Sequence, residues 1–450
     1  MSLSGTLEHQ QRSPTSLASL GWVLSSGFVL RVLLAPLFGG FGYDMDVLRN
    51  WARTLADRPL RLFYETAMAP DHLPGDLWIL KLLVSLFHGF GGENLDGTPF
   101  LIALKVVPAI GDMLVGLAIF IIVSWYRADS LALRATVFYI FNPATVFLTS
   151  VWGQWDSVSL ALVLFAFVLM LRQDRLWIAA APLLAWAVVI KPPLAAIGLL
   201  LCVFPISRLL RTGGPVSHRL RTIAVQFASS ALLGLGTVLA IILPFHVGLP
   251  GMDAQWSLAD RMSVALDLYP HTTLGAFNIW MIPIGSLERV SDLDNRWLSI
   301  SAHRWAMLLF LLSIAFIAIQ IAQRARNQPV QEVVGWGALA VSLAIFMAPT
   351  RVHERYLFPA IAFVILYAAL RGFPRQLVVL ASALSLTFFL NLVMVYGGFR
   401  GVLPGSIEDA AIAFVFRSIS SLNVVIFAAV LLLPRFRFAF GGTRNEPLNV

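Results

Sequence analysis

The chain has 450 residues, 58% hydrophobic and only 12% charged, with a mean hydropathy of +0.80. A water-soluble domain carries roughly 25% charged residues, so composition excludes that class and points to a multi-pass membrane protein. The net charge of +8 comes from basic residues scattered between apolar runs, which is the look of a positive-inside bias and not of a nucleic-acid-binding stripe. The single cysteine, Cys202, excludes an intrachain disulfide and a cysteine metal cluster.

The first 17 residues are polar and mixed, without a basic n-region, so no cleavable signal peptide is expected. Crossing a bilayer takes on the order of 20 apolar residues. Such runs lie near 18–38, 100–125, 135–151, 157–171, 176–190, 193–207, 222–244, 304–323, 332–348, 356–370, 377–396 and 410–434. They predict an all-α, polytopic domain over residues 1–450 with about twelve transmembrane helices. Two further apolar stretches, 77–90 and 274–286, are short and broken by Pro and Gly, and are expected to be re-entrant or interfacial helices.

The first polar cluster follows the first apolar run. It reads Phe41-Gly42-Tyr43-Asp44-Met45-Asp46, then Trp51. Carboxylates beside hydrocarbon are functional candidates by default, although Asp at a helix start is also favoured by the helix dipole. Trp152-Gly153-Gln154-Trp155-Asp156 comes after the helix-breaking Asn142-Pro143. Gln and Asp offer hydrogen-bonding groups to sugar hydroxyls, and flat Trp faces suit a sugar's C–H face; an aromatic-belt turn is the competing reading. Lys191-Pro192-Pro193 holds one ammonium at a chain reversal, suited to a phosphate.

In 269–280, His271, Asn278 and Trp280 are plausible contacts, and a packed loop explains them equally well. Arg351-Val352-His353-Glu354-Arg355-Tyr356 precedes a late helix. Arg forks and a tunable His can clamp a phosphate; snorkelling Arg with an interfacial Tyr is the alternative. There is no zinc-protease His pair, phosphate-binding Gly loop or nucleophile elbow.

Short connections with Arg127 and Arg134, Arg172 and Arg175, Arg208 to Arg221, Arg324 and Arg326, Arg371 and Arg375, and the tail with Arg435, Arg437 and Arg444 form one basic set. The positive-inside rule assigns that set to the cytoplasm. The long loops 39–99 and 245–303, the 152–156 turn, Lys191 and the 350–355 turn are then extracytoplasmic, provided 77–90 does not span. Lys105, Asp112 and Arg417 fall inside spans, as groove-lining or paired groups.

These residues together resemble the GT-C superfamily of polytopic glycosyltransferases, which use polyprenyl-phosphate sugars on the outer or lumenal side of a membrane. The chain is similar to bacterial relatives of GPI mannosyltransferase II (PIG-V) and to the dolichyl-phosphate-glucose glucosyltransferases. The family's catalytic carboxylate and following Trp match Asp44 and Trp51, with Asp46 at the second acidic position. Its His-Glu-basic motif matches His353-Glu354-Arg355. Its Trp-Gly-Gln-x-Asp turn and Lys-Pro pair match 152–156 and Lys191-Pro192. Where the family often has Tyr-Pro-Pro, this chain has His72-Leu73-Pro74-Gly75.

The resemblance implies an inverting hexosyltransferase, a mannosyltransferase by its nearest look, in the cell membrane. Its donor would be a polyprenyl-phosphate sugar, its acceptor a lipid-linked or glycan molecule, and nucleic acid no partner. Asp44 would be the base, with Asp46 beside it. Arg351, His353, Arg355 and Lys191 would bind the donor phosphate. Trp51, Trp152, Gln154, Asp156 and Glu354 would contact substrate. No cofactor is expected, although two closely spaced Asp such as Asp44 and Asp46 can hold a divalent metal. A lipid-linked sugar flippase or a non-catalytic binder would share the groove and the cations but need no base.

Overall fold

The computed structural model describes residues 14–172, 178–203, 215–400 and 410–433. The described residues are helical apart from two short strand pairs and the loops. Seven described helices are long and apolar enough to cross a membrane. They are α1 (Pro14–Leu34), α4 (Thr98–Ser124), α8 (Val216–Ile242), α10 (Ala302–Asn327), α11 (Val330–Met347), α13 (Arg375–Phe399) and α14 (Ala410–Leu432). α5 (Asp129–Ile140) and the segment Pro143–Trp152 make an eighth if the pair counts as one span bent by 46°. The remaining apolar runs form shorter helices: α6 (Asp156–Leu171), α7 (Ala180–Ile190), the 3-10 segment Pro192–Cys202 and α12 (Phe358–Leu370). Arg175, Arg208, Arg211, Arg435, Arg437 and Arg444 lie outside the described residues, as does 204–207.

Burial sorts these helices. In α11, 89% of the apolar window is inside the protein, against 17% in α1, α8 and α10. α11 is apolar all round and central; the others keep Leu and Val on an outer face, as helices facing lipid do. α4 packs along both α5 and α6, and α11 along α12. The basic connections gather at one end of the bundle. There Arg127 donates to the Leu370 carbonyl at 2.8 Å, Arg371 pairs with Glu332, and Arg324 covers the Trp336 ring at 4.1 Å.

At the other end lie the two long loops. The first carries α2 (Gly42–Asp57) and α3 (Pro74–Gly89). Pro74 occupies the first turn of α3, where its missing N–H costs nothing. Gly75 lets α3 abut α7; a Cβ there would stand 2.6 Å from the Ile190 nitrogen, and Trp186 donates to the Gly75 carbonyl at 2.9 Å. The second loop carries α9 (Leu258–Asp267) and the strands β1 (Val247–Gly248), β2 (Trp256–Ser257), β3 (Arg296–Trp297) and β4 (Ile300–Ser301). The stretch 274–286 corrects the expectation of a helix, because only Met281–Ile284 is helical. The rest is buried irregular backbone satisfied by side-chain amides. Asn391 bonds the Phe277 N–H at 3.0 Å and the Gly275 carbonyl at 2.7 Å, and Asn423 bonds the Phe277 carbonyl at 2.9 Å. Buried backbone outside a regular element survives where other groups of the protein pair its N–H and C=O groups.

Arg31, Asp112 and Arg417, which fall within spans, each have a protein partner. Arg31 meets Asp112 at 2.7 Å, Asp112 also accepts from the Tyr139 hydroxyl at 2.7 Å, and Arg417 donates to the Ile282 carbonyl at 3.2 Å. Lys105 has no carboxylate partner among the described residues. Its ammonium instead contacts the carbonyls of Ala35 at 3.2 Å, Phe38 at 2.6 Å, Ser150 at 2.8 Å and Val151 at 3.4 Å. It therefore ties the end of α1 to the end of the broken span. A buried acceptor left without its donor costs roughly 1–3 kcal/mol, and Lys105→Met would affect several at once. That variant is expected to lose many degrees of apparent melting temperature in detergent; a thermal-shift curve matching the parent's would refute this role.

Candidate functional site

The five polar clusters converge at the loop end of the bundle, around a cleft of about 450 Å³, within the roughly 300–1,000 Å³ range of small-molecule sites. Asp44 stands in the first turn of α2, whose dipole favours a negative charge. The N-cap residue Phe41 donates its backbone N–H to the Trp152 carbonyl at 3.0 Å and stacks on the Trp152 ring at 5.1 Å. The turn 152–156 is thus seated against the start of α2.

That turn is shaped by the helices around it. The broken span ends in a π-helical stretch, Phe147–Trp152, closed by Gly153 at φ +93°, a conformation open to Gly at little cost. Pro108 inside α4 has no N–H to give the Leu104 carbonyl. Trp155 fills that vacancy, its Nε1 donating to the Leu104 oxygen at 3.0 Å, while Ser157 donates to the Pro108 carbonyl at 2.7 Å. With the turn pinned, Trp152 Nε1 donates to Asp44 Oδ2 at 3.1 Å, and the Gln154 amide donates to the same oxygen. Asp44 Oδ1 takes no hydrogen bond from the described residues, and Asp44 lines the cleft.

Glu354 and Arg355 face Asp44 from the turn before α12. Arg355 donates to Glu354 at 3.2 Å. Burial opposes the Arg355 charge, and Glu354, Asp44 and Asp156 outweigh it. Glu354 is buried, and that burial pushes its carboxyl above the ordinary glutamate range, although Arg355 works against the rise. His353 is held well below the ordinary histidine value, by burial first and then by Arg355, Lys191, His72 and Arg289. It is a neutral imidazole at neutral pH, able to donate one N–H. Backbone pairing fixes the turn: the Leu274 N–H donates to the Val352 carbonyl at 3.0 Å.

Trp51 is buried and donates to the Met68 carbonyl at 2.7 Å, so it forms a wall that also fixes the loop beyond it. His72 lies edge-on to the Trp51 ring at 5.0 Å and contacts Asp76 at 2.5 Å. Burial works against an imidazolium here, and the Asp76 carboxylate overrides it, raising His72 to about 9. Tyr269 and Arg289 complete the cleft from the second loop.

Four sequence expectations are corrected. Asp46 is two residues from Asp44 on one helix and so points about 200° away. Its side chain is 69% exposed beside Arg49 at 3.7 Å, outside the cleft. Asp44 and Asp46 therefore do not converge as a metal-binding pair. Arg351 is turned away at φ +63° and bonds Asp292 at 2.8 Å and Asp267 at 2.9 Å; it fastens the second loop and does not line the cleft. Lys191 is spent on buried Asp156 behind the cleft, with the Tyr356 ring 5.2 Å away. Both lie on a small separate cavity, so Asp156 is Lys191's counter-ion and not a group facing the cleft. Asn278 and Trp280 bond the backbone carbonyls of Phe346 and Ala348, as the packed-loop reading expects.

His72, Asp76, Tyr269 and Arg289 also line the cleft and are not among the site residues expected from the sequence. The i, i+4 spacing of His72 and Asp76 was the available signal; nothing local marked Arg289. No family model and no curated protein matches this chain.

The ion pair of His72 gives a sign-defined prediction. A folded value raised from 6.5 to about 9 contributes stability that is complete below pH 6.5 and is lost as pH rises through 9. The melting-temperature gap between the parent and His72→Asn should be widest at pH 6 and close by pH 9.5. A gap that grows with pH would contradict the assigned charge.

Proposed function

We propose that the chain is an inverting GT-C-type hexosyltransferase, by resemblance a mannosyltransferase. It takes sugar from a polyprenyl-phosphate donor at a cleft on the extracytoplasmic face of the cell membrane. In this reading the apolar runs make about twelve spans, and the acceptor is a lipid-linked or glycan hydroxyl. The observation that carries it is the cleft-lining Asp44 carboxylate, oriented by Trp152 and Gln154 through one oxygen while the other takes no hydrogen bond from the described residues. A transporter of lipid-linked sugars would need the cations but has no task for such a carboxylate.

The chemistry assigns each wall a role. Asp44 Oδ1 accepts the acceptor's hydroxyl proton as that oxygen attacks the anomeric carbon. The bond from that carbon to the phosphate oxygen breaks, its electron pair leaving with the phosphate. Arg355 and Arg289, with the His353 N–H and the charged His72, stabilise the negative charge that develops there. An apolar cavity of about 150 Å³, lined by residues of α13 and α14, shares Leu287 with the cleft. It supports the reading by giving the first prenyl units a place beside the phosphate.

Asp44→Asn keeps the shape and loses the proton acceptor. Transfer should fall about 10²–10⁴-fold while donor binding persists, and an unchanged rate would remove Asp44 from the mechanism. Arg355→Ala should weaken donor binding, by roughly 1–3 kcal/mol for a charged hydrogen bond. Arg351→Ala should lower stability first.

The sidedness is tested separately. With Cys202 replaced by Ala, Arg61→Cys should react with a membrane-impermeant maleimide added to intact cells. Labelling only after the cells are opened would place the cleft on the wrong side.

A further inference from the structure

Along 286–290 successive residues line two clefts in alternation. Leu287 and Arg289 line the cleft that holds Asp44. Ser286, Glu288 and Val290 line a second, shallower cleft of about 500 Å³, which Asp294, Asn295 and Trp297 also line. One strip of the second loop is thus a partition with a different chemistry on each side. The Asp44 side is cationic and mixed, whereas no cation among the described residues lines the second cleft.

Trp297 is held as a fixed platform. The β3–β4 hairpin pairs Arg296 with Ser301 and Trp297 with Ile300. The two residues between, Leu298 and Ser299, have φ of +51° and +65°, a left-handed conformation that costs an L-residue roughly 1–2 kcal/mol. The Trp297 ring rests against buried Trp280 at 5.4 Å and 31°, and Trp305 donates to the Trp297 carbonyl at 3.0 Å. Even so, Trp297 remains 41% exposed. Glu288 and Asp294 take no ion pair from the described residues, so both carboxylates are available to a ligand. Asn295 adds an amide with both donor and acceptor.

A rigid indole face beside two unspent carboxylates and an amide suits a ring with C–H groups on one face and hydroxyls at its edge. We propose that this second cleft is a carbohydrate subsite for neutral or amino sugars, with Trp297 as the stacking surface and Glu288, Asp294 and Asn295 as the hydroxyl and amine partners. Two carboxylates with no cation repel sialylated or phosphorylated glycans. The proposal goes beyond the transferase reading and does not need it. If that reading holds, the subsite grips the remote residues of a glycan acceptor whose reacting end lies across the partition.

The test uses the full chain in nanodiscs with mannotriose, a glucosamine trisaccharide and sialyllactose as probes, read by saturation-transfer NMR and titration. The first two should bind, and sialyllactose should bind at least about tenfold more weakly, a difference near 1.4 kcal/mol. Trp297→Ala should weaken the first two by about tenfold or more. Trp297→Phe should retain most binding, which guards against a hairpin that no longer folds. Glu288→Gln with Asp294→Asn should narrow the preference over sialyllactose. Asp44→Asn should bind both sugars as the parent does, so loss of the transferase reading leaves this result intact. The proposal is overturned if neither neutral nor amino probe binds, if sialyllactose binds equally well, or if Trp297→Ala binds undiminished.

Discussion

The Lys105 ammonium is the interaction on which the site's frame depends. Two chain breaks meet at it: the unwound end of α1, with the Ala35 and Phe38 carbonyls, and the π-helical end of the broken span, with those of Ser150 and Val151. Broken helix ends expose carbonyls that lipid cannot satisfy. A single cation shared among them removes that cost and fixes the two ends relative to each other. Three residues after Lys105 along α4 is Pro108, whose missing N–H leaves the Leu104 carbonyl for Trp155. α4 therefore holds the 152–156 turn at two points, and the turn in turn holds Asp44.

Charge in this protein is divided between groups that hold the fold and groups left to the cleft. Arg31, Lys105, Lys191 and Arg351 are each committed to a protein partner. Removing a buried partner from such a pair leaves an uncompensated charge and is strongly destabilising. Arg289 and His72 line the cleft, and Arg355 reaches it while keeping Glu354 beside it. Neutral His353 in their midst is a consequence of crowding, since its cationic neighbours and its burial disfavour a further positive charge. An arriving anion would relieve the same repulsion that keeps the ring neutral.

Hydropathy located the seven described helices that are long and apolar enough to cross a membrane, because each such run is governed by one local requirement, burial in lipid or in neighbouring helices. The break at Asn142-Pro143 was equally local: Asn142 caps the next turn by accepting from the Ala144 N–H at 3.0 Å. The gathering of the clusters at one end followed from alternating spans. What local sequence did not disclose was partnership across long separations. Lys191 and Arg351 carry the same charge as Arg355, and only the three-dimensional positions of Asp156, Asp267 and Asp292 show which cations are committed. Asp46 was legible in principle, because residues two apart on a helix do not share a face. The irregular 274–286 segment was not, since its backbone is paired by Asn391 and Asn423, more than a hundred residues away.

The most direct measurement of the central claim is product formation by the purified protein. It would be incubated in nanodiscs with a panel of polyprenyl-phosphate hexoses and glycan or lipid-linked acceptors, with masses read by spectrometry. The account predicts an acceptor heavier by one hexose, formed by the parent and lost in Asp44→Asn. Absence of any such product, together with movement of the same lipids across vesicle membranes, would contradict it and identify a transporter.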